Sequence, residues 1–300
     1  MTGRRALVTG ATGFIGSHLA QRLLRDGWDT AVIVRPGSDL AALKSIAGKL
    51  TVHEHDGTTG GMIALLKTAK PDIVFHLASL FLSQHRPEDM DPLIKSNVLF
   101  GAQLLEAMTA AGIRLLVNTG TSWQHYENRE YSPMNLYAAT KQAFETILQY
   151  YLETTPLKAI TLMLFDTYGP DDPRPKLFHL LRKTAESREP LAMSPGEQLI
   201  DLVHIDDVVR AFSLAADRLS AGAVPRHESY AVSSGAPIKL RDLVELYAQI
   251  TGTTVPRTWG GRPYRQREVM VPWTNGMALP NWTPRISLAK GLKSMGSSGL

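Results

Sequence analysis

The chain has no cysteine among its 300 residues. That excludes a disulfide framework, a thiolate zinc site, an iron–sulfur cluster and a cysteine nucleophile. No apolar run reaches the roughly 18 residues that a membrane-spanning helix needs, so no membrane partner is expected. Charge of one sign is also scarce. Lys plus Arg is 32 against 28 Asp plus Glu, a net charge of +4, and the basic residues form no stripe of the kind a nucleic-acid surface requires. Arg4 and Arg5 precede an apolar segment, as in an export signal, but three glycines interrupt that segment and no clean cleavage site follows. A cytoplasmic enzyme acting on a small anionic molecule fits these absences. Nine histidines are present, yet only His53 and His55 share a suggestive spacing and no third ligand follows, so no metal is expected.

What is there is alternation. Short apolar runs at Arg5–Thr9, Ala31–Val34, Leu50–His53, Ile73–Leu77, Leu115–Asn118 and Ala159–Leu164 read as buried strands. Helix-like stretches lie between them near Phe14–Asp26, Ser38–Ile46, Gly61–Thr68, Asp91–Ala111 and Leu136–Glu153. Strands alternating with helices predict βαβ units and a parallel sheet covered on both faces. The fold class is therefore α/β, a Rossmann-type doubly wound parallel sheet with a smaller C-terminal α/β substrate domain. Prolines gather after residue 165, at Pro170, Pro173, Pro175, Pro190 and Pro195. The division expected is residues 1–165 for an NADP-binding unit, with 202–220 returning to it, and residues 166–201 and 221–300 for a substrate-binding unit.

Gly10-Ala-Thr12-Gly13-Phe14-Ile15-Gly16 follows the first strand and opens the first helix. Glycines at this spacing permit a sharp turn, close approach to a pyrophosphate, and tight helix–sheet packing, with the helix N-terminus facing the phosphates. After the second strand comes Arg35, where an NAD-preferring site places a carboxylate for the ribose 2′-hydroxyl. A guanidinium suits a 2′-phosphate instead, and Ser38 adds a hydroxyl, so NADP(H) is the expected cofactor. The other reading of Arg35 is a surface turn with Pro36 and Gly37. Asp56, followed by Gly57, is placed either to accept from the adenine amino group or to cap the next helix. His76-Leu77-Ala78-Ser79 ends the fourth strand, at the carboxyl edge where ligands bind.

Tyr137 and Lys141 stand four apart, which on a helix puts them on one face. A free tyrosine titrates near pH ~10, and a nearby ammonium lowers that value. Taken in order, Thr9-Gly10 through Gly16, Asp56, His76 to Ala78, Asn97, Thr121, Pro133 through Lys141 and Tyr168-Gly169-Pro170 resemble the extended short-chain dehydrogenase/reductase family, whose members include the NAD-dependent epimerases and dehydratases. The resemblance spans most of the chain. It implies that Tyr137 is the general acid protonating a ketone, that Lys141 lowers its pKa and binds the cofactor ribose, and that Thr121, or Ser122 one register step on, bonds the same oxygen. It also implies that Leu77, Ala78, Ser79, Asn97 and Thr119 line the cofactor site.

Two departures narrow the activity. The family's sugar dehydratases carry an Asp-Glu pair directly after that Thr, whereas Ser122-Trp123 follow here. Its combined epimerase–reductases need a cysteine, and there is none. The segments around Asn118–Tyr126, Ser132–Glu145 and Leu164–Lys176 resemble the CDP-abequose and CDP-paratose synthase-like reductases, which reduce the 4-keto group of a nucleotide-linked 6-deoxyhexose. Ser122, Trp123, Gln124 and His125 are then candidates for the sugar pocket. Arg174, Lys176, Tyr264 and Arg265 are candidates for the substrate nucleotide, with an exposed basic loop as the plainer reading of the last two. The rivals are a ketone on an aminoglycoside or polyketide, a nucleotide-sugar 4-epimerase, and a non-enzymatic NADP-binding regulator. The family's habit of dimerising implies a homodimer through 91–111 and 136–153.

Overall fold

The computed structural model of the chain describes residues 3–296. Seven parallel strands form its main sheet: β1 (Arg5–Thr9), β2 (Asp29–Val34), β3 (Leu50–Glu54), β4 (Ile73–His76), β5 (Leu115–Thr121), β6 (Lys158–Leu164) and, far along the chain, β11 (His227–Val232). Their spatial order is β11-β6-β5-β4-β1-β2-β3. The order reverses at β1 and β4, and the crevice above such a switch point is where α/β sheets bind ligands.

Between the strands lie α1 (Phe14–Arg25), α2 (Thr59–Ala69), α3 (Met90–Ile94), α4 (Phe100–Ala111) and α5 (Leu136–Thr154). One face of the sheet packs on α1 and on α7 (Ile205–Ser220) through Leu19, Leu23, Val208 and Phe212. The other packs on α2, α4 and α5 through Leu66, Leu104, Phe144 and Leu148. The strands β1, β4 and β6 are mostly apolar and, past the first residue of β1 and β6, fully buried because both faces are covered. The remaining elements are β7 (Asp166–Tyr168), α6 (Leu177–Ser187), β8 (Leu191–Met193), β9 (Leu199–Ile200), β10 (Leu202–His204), β12 (Ile238–Lys239), α8 (Leu240–Thr251), β13 (Arg257–Trp259) and α9 (Leu288–Gly296). They pair as β7–β10, β8–β13 and β9–β12. A separate core of Tyr168, Leu181, Met193, Leu243, Val244 and Leu292 holds them together.

The structure departs from the sequence reading in four places. Residues 227–232, expected in the C-terminal unit, pair with β6 and complete the main sheet. Leu50–His53, expected to be buried, forms the opposite edge, so Val52 is 40% exposed. The expected helix at Ser38–Ile46 is instead a 3₁₀ stretch over Ala41–Lys49. The helix expected over Asp91–Ala111 contains a π turn at Lys95–Leu99 that turns Asn97 inward; such turns recur at functional sites.

Candidate active site

The nucleotide cradle is made of backbone. Gly10 adopts φ +71, and a Cβ there would lie 2.6 Å from Ala78 N; one on Gly16 would lie 2.2 Å from Gly10 O. No side chain caps the start of α1, which leaves its first N–H groups and its positive end for an anion. Thr12 and Ile15 are half-buried beside the glycines, and Phe14 is buried. Leu77 N and Ala78 N donate to Thr9 Oγ1 at 3.2 and 3.1 Å, which fixes the opposite wall. These residues fit a dinucleotide: the glycines let the turn pack tightly on the β4 loop and on α1, and the uncapped helix start is left to face a pyrophosphate.

Around this cradle the expected cofactor residues divide. Arg35 and Ser38 sit in one turn, where Arg35 N donates to Ser38 Oγ at 3.1 Å. Among the described residues no carboxylate forms an ion pair with Arg35. Asp56 accepts from Thr58 N at 2.8 Å and from its hydroxyl, bonds that hold its carboxyl below the usual range. Thr58 in turn caps α2, so the capping reading of Asp56 is the one whose bonds are visible. Gly57 offers its carbonyl to Gln103 Nε2. Thr119 Oγ1 is buried without a partner, two residues from Thr121 and on the same face of β5.

Asn97 has no capacity left for a ligand. Its Oδ1 accepts from Ser79 Oγ and Leu80 N, while its Nδ2 donates to Leu80 O and Thr140 Oγ1. The expectation of a direct cofactor contact is corrected to a structural one: Asn97 ties the loop after β4 to α5. Ser79 thereby reaches the Tyr137 phenol, to which it is hydrogen-bonded.

Tyr137 and Lys141 lie on the first two turns of α5, whose N-cap Asn135 accepts from Ala138 N at 2.9 Å. Burial pushes the Tyr137 phenol up to about 12, opposed by Ser79 and by the Arg174 cation. Lys141 is not among the groups acting on it, so the expected lowering by Lys141 is not seen. Lys141 is 2% exposed, and burial pulls its ammonium down to about 8. Thr121 ends β5 and accepts from Trp123 N at 3.3 Å, leaving its own O–H proton to donate.

Beside Tyr137 opens a cavity of about 850 Å³ whose lining includes Phe81, Trp123, His125, Lys176, Arg265 and Trp273. Phe81 meets the Tyr137 ring at 5.0 Å and Trp123 at 5.4 Å, and Lys176 Nζ lies 4.8 Å over its face. His125 donates from Nδ1 to Glu130 O at 2.6 Å and stacks on Trp273 at 3.9 Å. Ser122 is half-buried and also lines the cavity. Arg265 pairs with Glu268 at 2.8 Å and faces Trp123.

Two expected substrate contacts, Gln124 and Tyr264, do not line the cavity. Gln124 is fully buried behind β5, where its amide is needed by backbone and helix groups. Tyr264 spends its hydroxyl on Glu197 N. Arg174 does line the cavity, gripped by both oxygens of Asp172, donating to Thr167 O and lying 4.6 Å over the Phe14 ring. Phe81 and Trp273 went unnoticed in the sequence because no spacing links them to Tyr137; only the folded loops do. Phe81 carried one local signal, as an aromatic residue following the fourth strand's carboxyl edge.

Among the described residues no helix is long and apolar enough to cross a membrane, and no three His, Asp or Glu side chains converge as a metal site would. The sequence profile of the NAD dependent epimerase/dehydratase family matches residues 6–232. Curated relatives include CDP-abequose synthase of Salmonella muenchen, 26% identical over 97% of both chains, and UDP-glucose 4-epimerase of Mycolicibacterium smegmatis, 29% identical over 96% of both. Among solved structures, MoeE5 in complex with UDP-glucose and NAD superposes with a TM-score of 0.81 at 27% identity, covering 98% of this chain and 97% of that one. A UDP-glucose-4-epimerase from Stenotrophomonas maltophila with bound NAD shares the fold, with a TM-score of 0.86 at 22% identity and 98% and 97% coverage. With the glycine cradle, the Tyr–Lys helix and the seven-stranded sheet all inside a profile match covering most of its length, this chain belongs to the NAD dependent epimerase/dehydratase family.

Proposed function

We propose that the chain is an NADPH-dependent reductase of the 4-keto group of a nucleotide-linked 6-deoxyhexose. The observation that carries this reading is the surround of Tyr137. Its phenol is held as a protonated acid, aromatic rings stand beside it, and no carboxylate pair follows Thr121. A phenol kept protonated is ready to give its proton to a ketone. The aromatic faces of Phe81 and Trp123 give an apolar surface on which the methyl group of a 6-deoxy sugar can pack. The full-length relationship to CDP-abequose synthase supports the same substrate class.

When bound, the dihydronicotinamide supplies the hydride. The rest is done by this chain. Tyr137 gives its proton to the ketone oxygen, and Thr121 donates a second hydrogen bond to that oxygen as charge builds there. Lys141 holds the ribose hydroxyls. Gly10, Gly13 and Gly16 hold the pyrophosphate, and Arg35 with Ser38 holds a 2′-phosphate. Lys176 and Arg265 meet the substrate's anionic part. Residues 1–165, 202–220 and strand β11 act as the cofactor unit, and the remainder as the substrate unit. Met90, Ile94, Leu99 and Tyr150 are exposed apolar residues on α3, the π turn and α5; they suit a homodimer through these helices.

A second reading, a nucleotide-sugar 4-epimerase, is favoured by the relationship to UDP-glucose 4-epimerase. That reaction needs a tightly retained NAD, against which an Arg35 guanidinium with no carboxylate partner among the described residues speaks. The test is NADPH oxidation with a panel of CDP- and dTDP-4-keto-6-deoxyhexoses, NADH run in parallel. Rapid oxidation of NADPH with one nucleotide is expected. Interconversion of UDP-glucose and UDP-galactose without net oxidation would replace the reductase by the epimerase.

A further inference from the structure

Gln124 spans a gap behind the reacting groups. Its Oε1 accepts from Thr121 N at 3.0 Å, while its Nε2 donates to Gln142 Oε1 at 2.9 Å and Glu145 Oε1 at 3.2 Å. One buried amide thus joins the last residue of β5 to two residues of α5. A primary amide accepts through its oxygen and donates twice through its nitrogen, which is the set of bonds this gap needs. Glu145 lies one helical turn beyond Lys141, on the same face. The strand leaves room for its carboxylate: a Cβ on Gly120 would come within 3.0 Å of Glu145 Oε1 and 2.3 Å of Met163 Sδ. Glu145 also lines a second cavity of about 670 Å³, together with His125, Glu130 and Gln142. Glu145 therefore stands between that cavity and the helix face that carries Lys141.

We infer that Gln124 and Glu145 are positioning residues, which tie the end of the catalytic strand to α5 and set a carboxylate against the far side of the Lys141 ammonium. Glu145 favours the charged lysine against the burial that opposes it. The other titratable groups facing Lys141 are Tyr137 on its own helix and His76 on β4, which burial holds neutral at about 3. Glu145 itself faces Gln124, with His125 and Glu130 across the second cavity. Glu145 is the one carboxyl acting on Lys141 among the described residues; burial pushes it up, and the Gln124 amide and the Lys141 ammonium oppose that and favour its charged form.

The inference rests on the reading that Lys141 binds the cofactor ribose as an ammonium. The test is Glu145→Gln, read by the NADPH dissociation constant against pH from cofactor fluorescence, and by kcat against pH where a ketone is turned over. In the natural protein both weaken as pH rises through the lysine's value. Removing the carboxylate lets that value drop, so the weakening arrives about one pH unit lower in Glu145→Gln, and Glu145→Asp moves it back. Should Glu145→Gln not fold, Gln124→Leu, which frees the same carboxylate, must shift the profile the same way by a smaller amount. An unmoved profile in a folded variant that binds NADPH overturns the inference and leaves the reductase standing. A natural protein that binds NADPH with this pH profile yet reduces no ketone overturns the reductase, while the binding profiles still decide Glu145. No binding of NADPH overturns both.

Discussion

The two sides of the sheet's carboxyl edge are built from different materials. On the cofactor side, one unbroken segment does most of the work: β1, the glycine turn and α1 make a cradle from backbone atoms. On the substrate side, side chains arrive from four distant stretches, at Phe81, Trp123–His125, Lys176 and Arg265–Trp273. Backbone recognition tolerates little change, because a Cβ at Gly10 or Gly16 collides with main chain. A pocket of side chains can be re-lined one residue at a time. This difference accounts for a family in which the nucleotide site stays put while the sugar changes.

The comparison breaks most sharply at Tyr137, where the two sides meet. Tyr137→Phe removes the proton donor and leaves the cradle whole. Turnover should fall about 10²- to 10⁴-fold, with the NADPH dissociation constant unchanged. Equal loss in binding and turnover would mean that the phenol serves the cofactor and not the ketone.

Legibility in the sequence follows the same division. Gly10 to Gly16 could be read because strand, turn and helix are contiguous, and the Tyr137–Lys141 pair because helical spacing is fixed. Five of the six N-terminal strands could be read because two covered faces demand mostly apolar runs; β3, read as buried, is an exposed edge. Strand β11 could not, since His227-Glu-Ser-Tyr230 is polar at its start and its partner β6 lies more than sixty residues earlier. Gln124 and Asn97 were misassigned for a physical reason: a polar residue near a site looks like a ligand contact until its hydrogen bonds are counted. Trp273 gave no signal, for its neighbour His125 is brought to it only by the fastening of Thr274 and Asn275 onto Asn128.

Arg35 sharpens the cofactor side. It is exposed at the end of β2 and free of carboxylate partners among the described residues. Arg35→Glu should weaken NADPH binding by roughly 10- to 100-fold, the worth of about 1.5–3 kcal/mol for hydrogen bonds to a charged group, and leave NADH binding as it was or better. Competitive titration of the two cofactors measures the ratio. Unchanged binding of both would return Arg35 to a surface turn.

Trp273 tests the substrate side with the smallest expected effect. Its ring lies flat on His125 at 3.9 Å and 15°, and extends the stack to Phe165. His125 is also fixed through Nδ1 by Glu130 O, so losing the tryptophan removes one of two supports. Aromatic pairs contribute about 0.5–1.5 kcal/mol beyond their area. Trp273→Ala should therefore raise KM for the sugar substrate roughly three- to tenfold, with NADPH affinity untouched. A side-chain wall predicts that split, because the loop holding Trp273 touches the β5 end of the sheet and not the glycine turn. If NADPH affinity fell in step with KM, the two halves of the site would be coupled through this loop. The sugar pocket could then no longer be treated as a lining independent of the cradle.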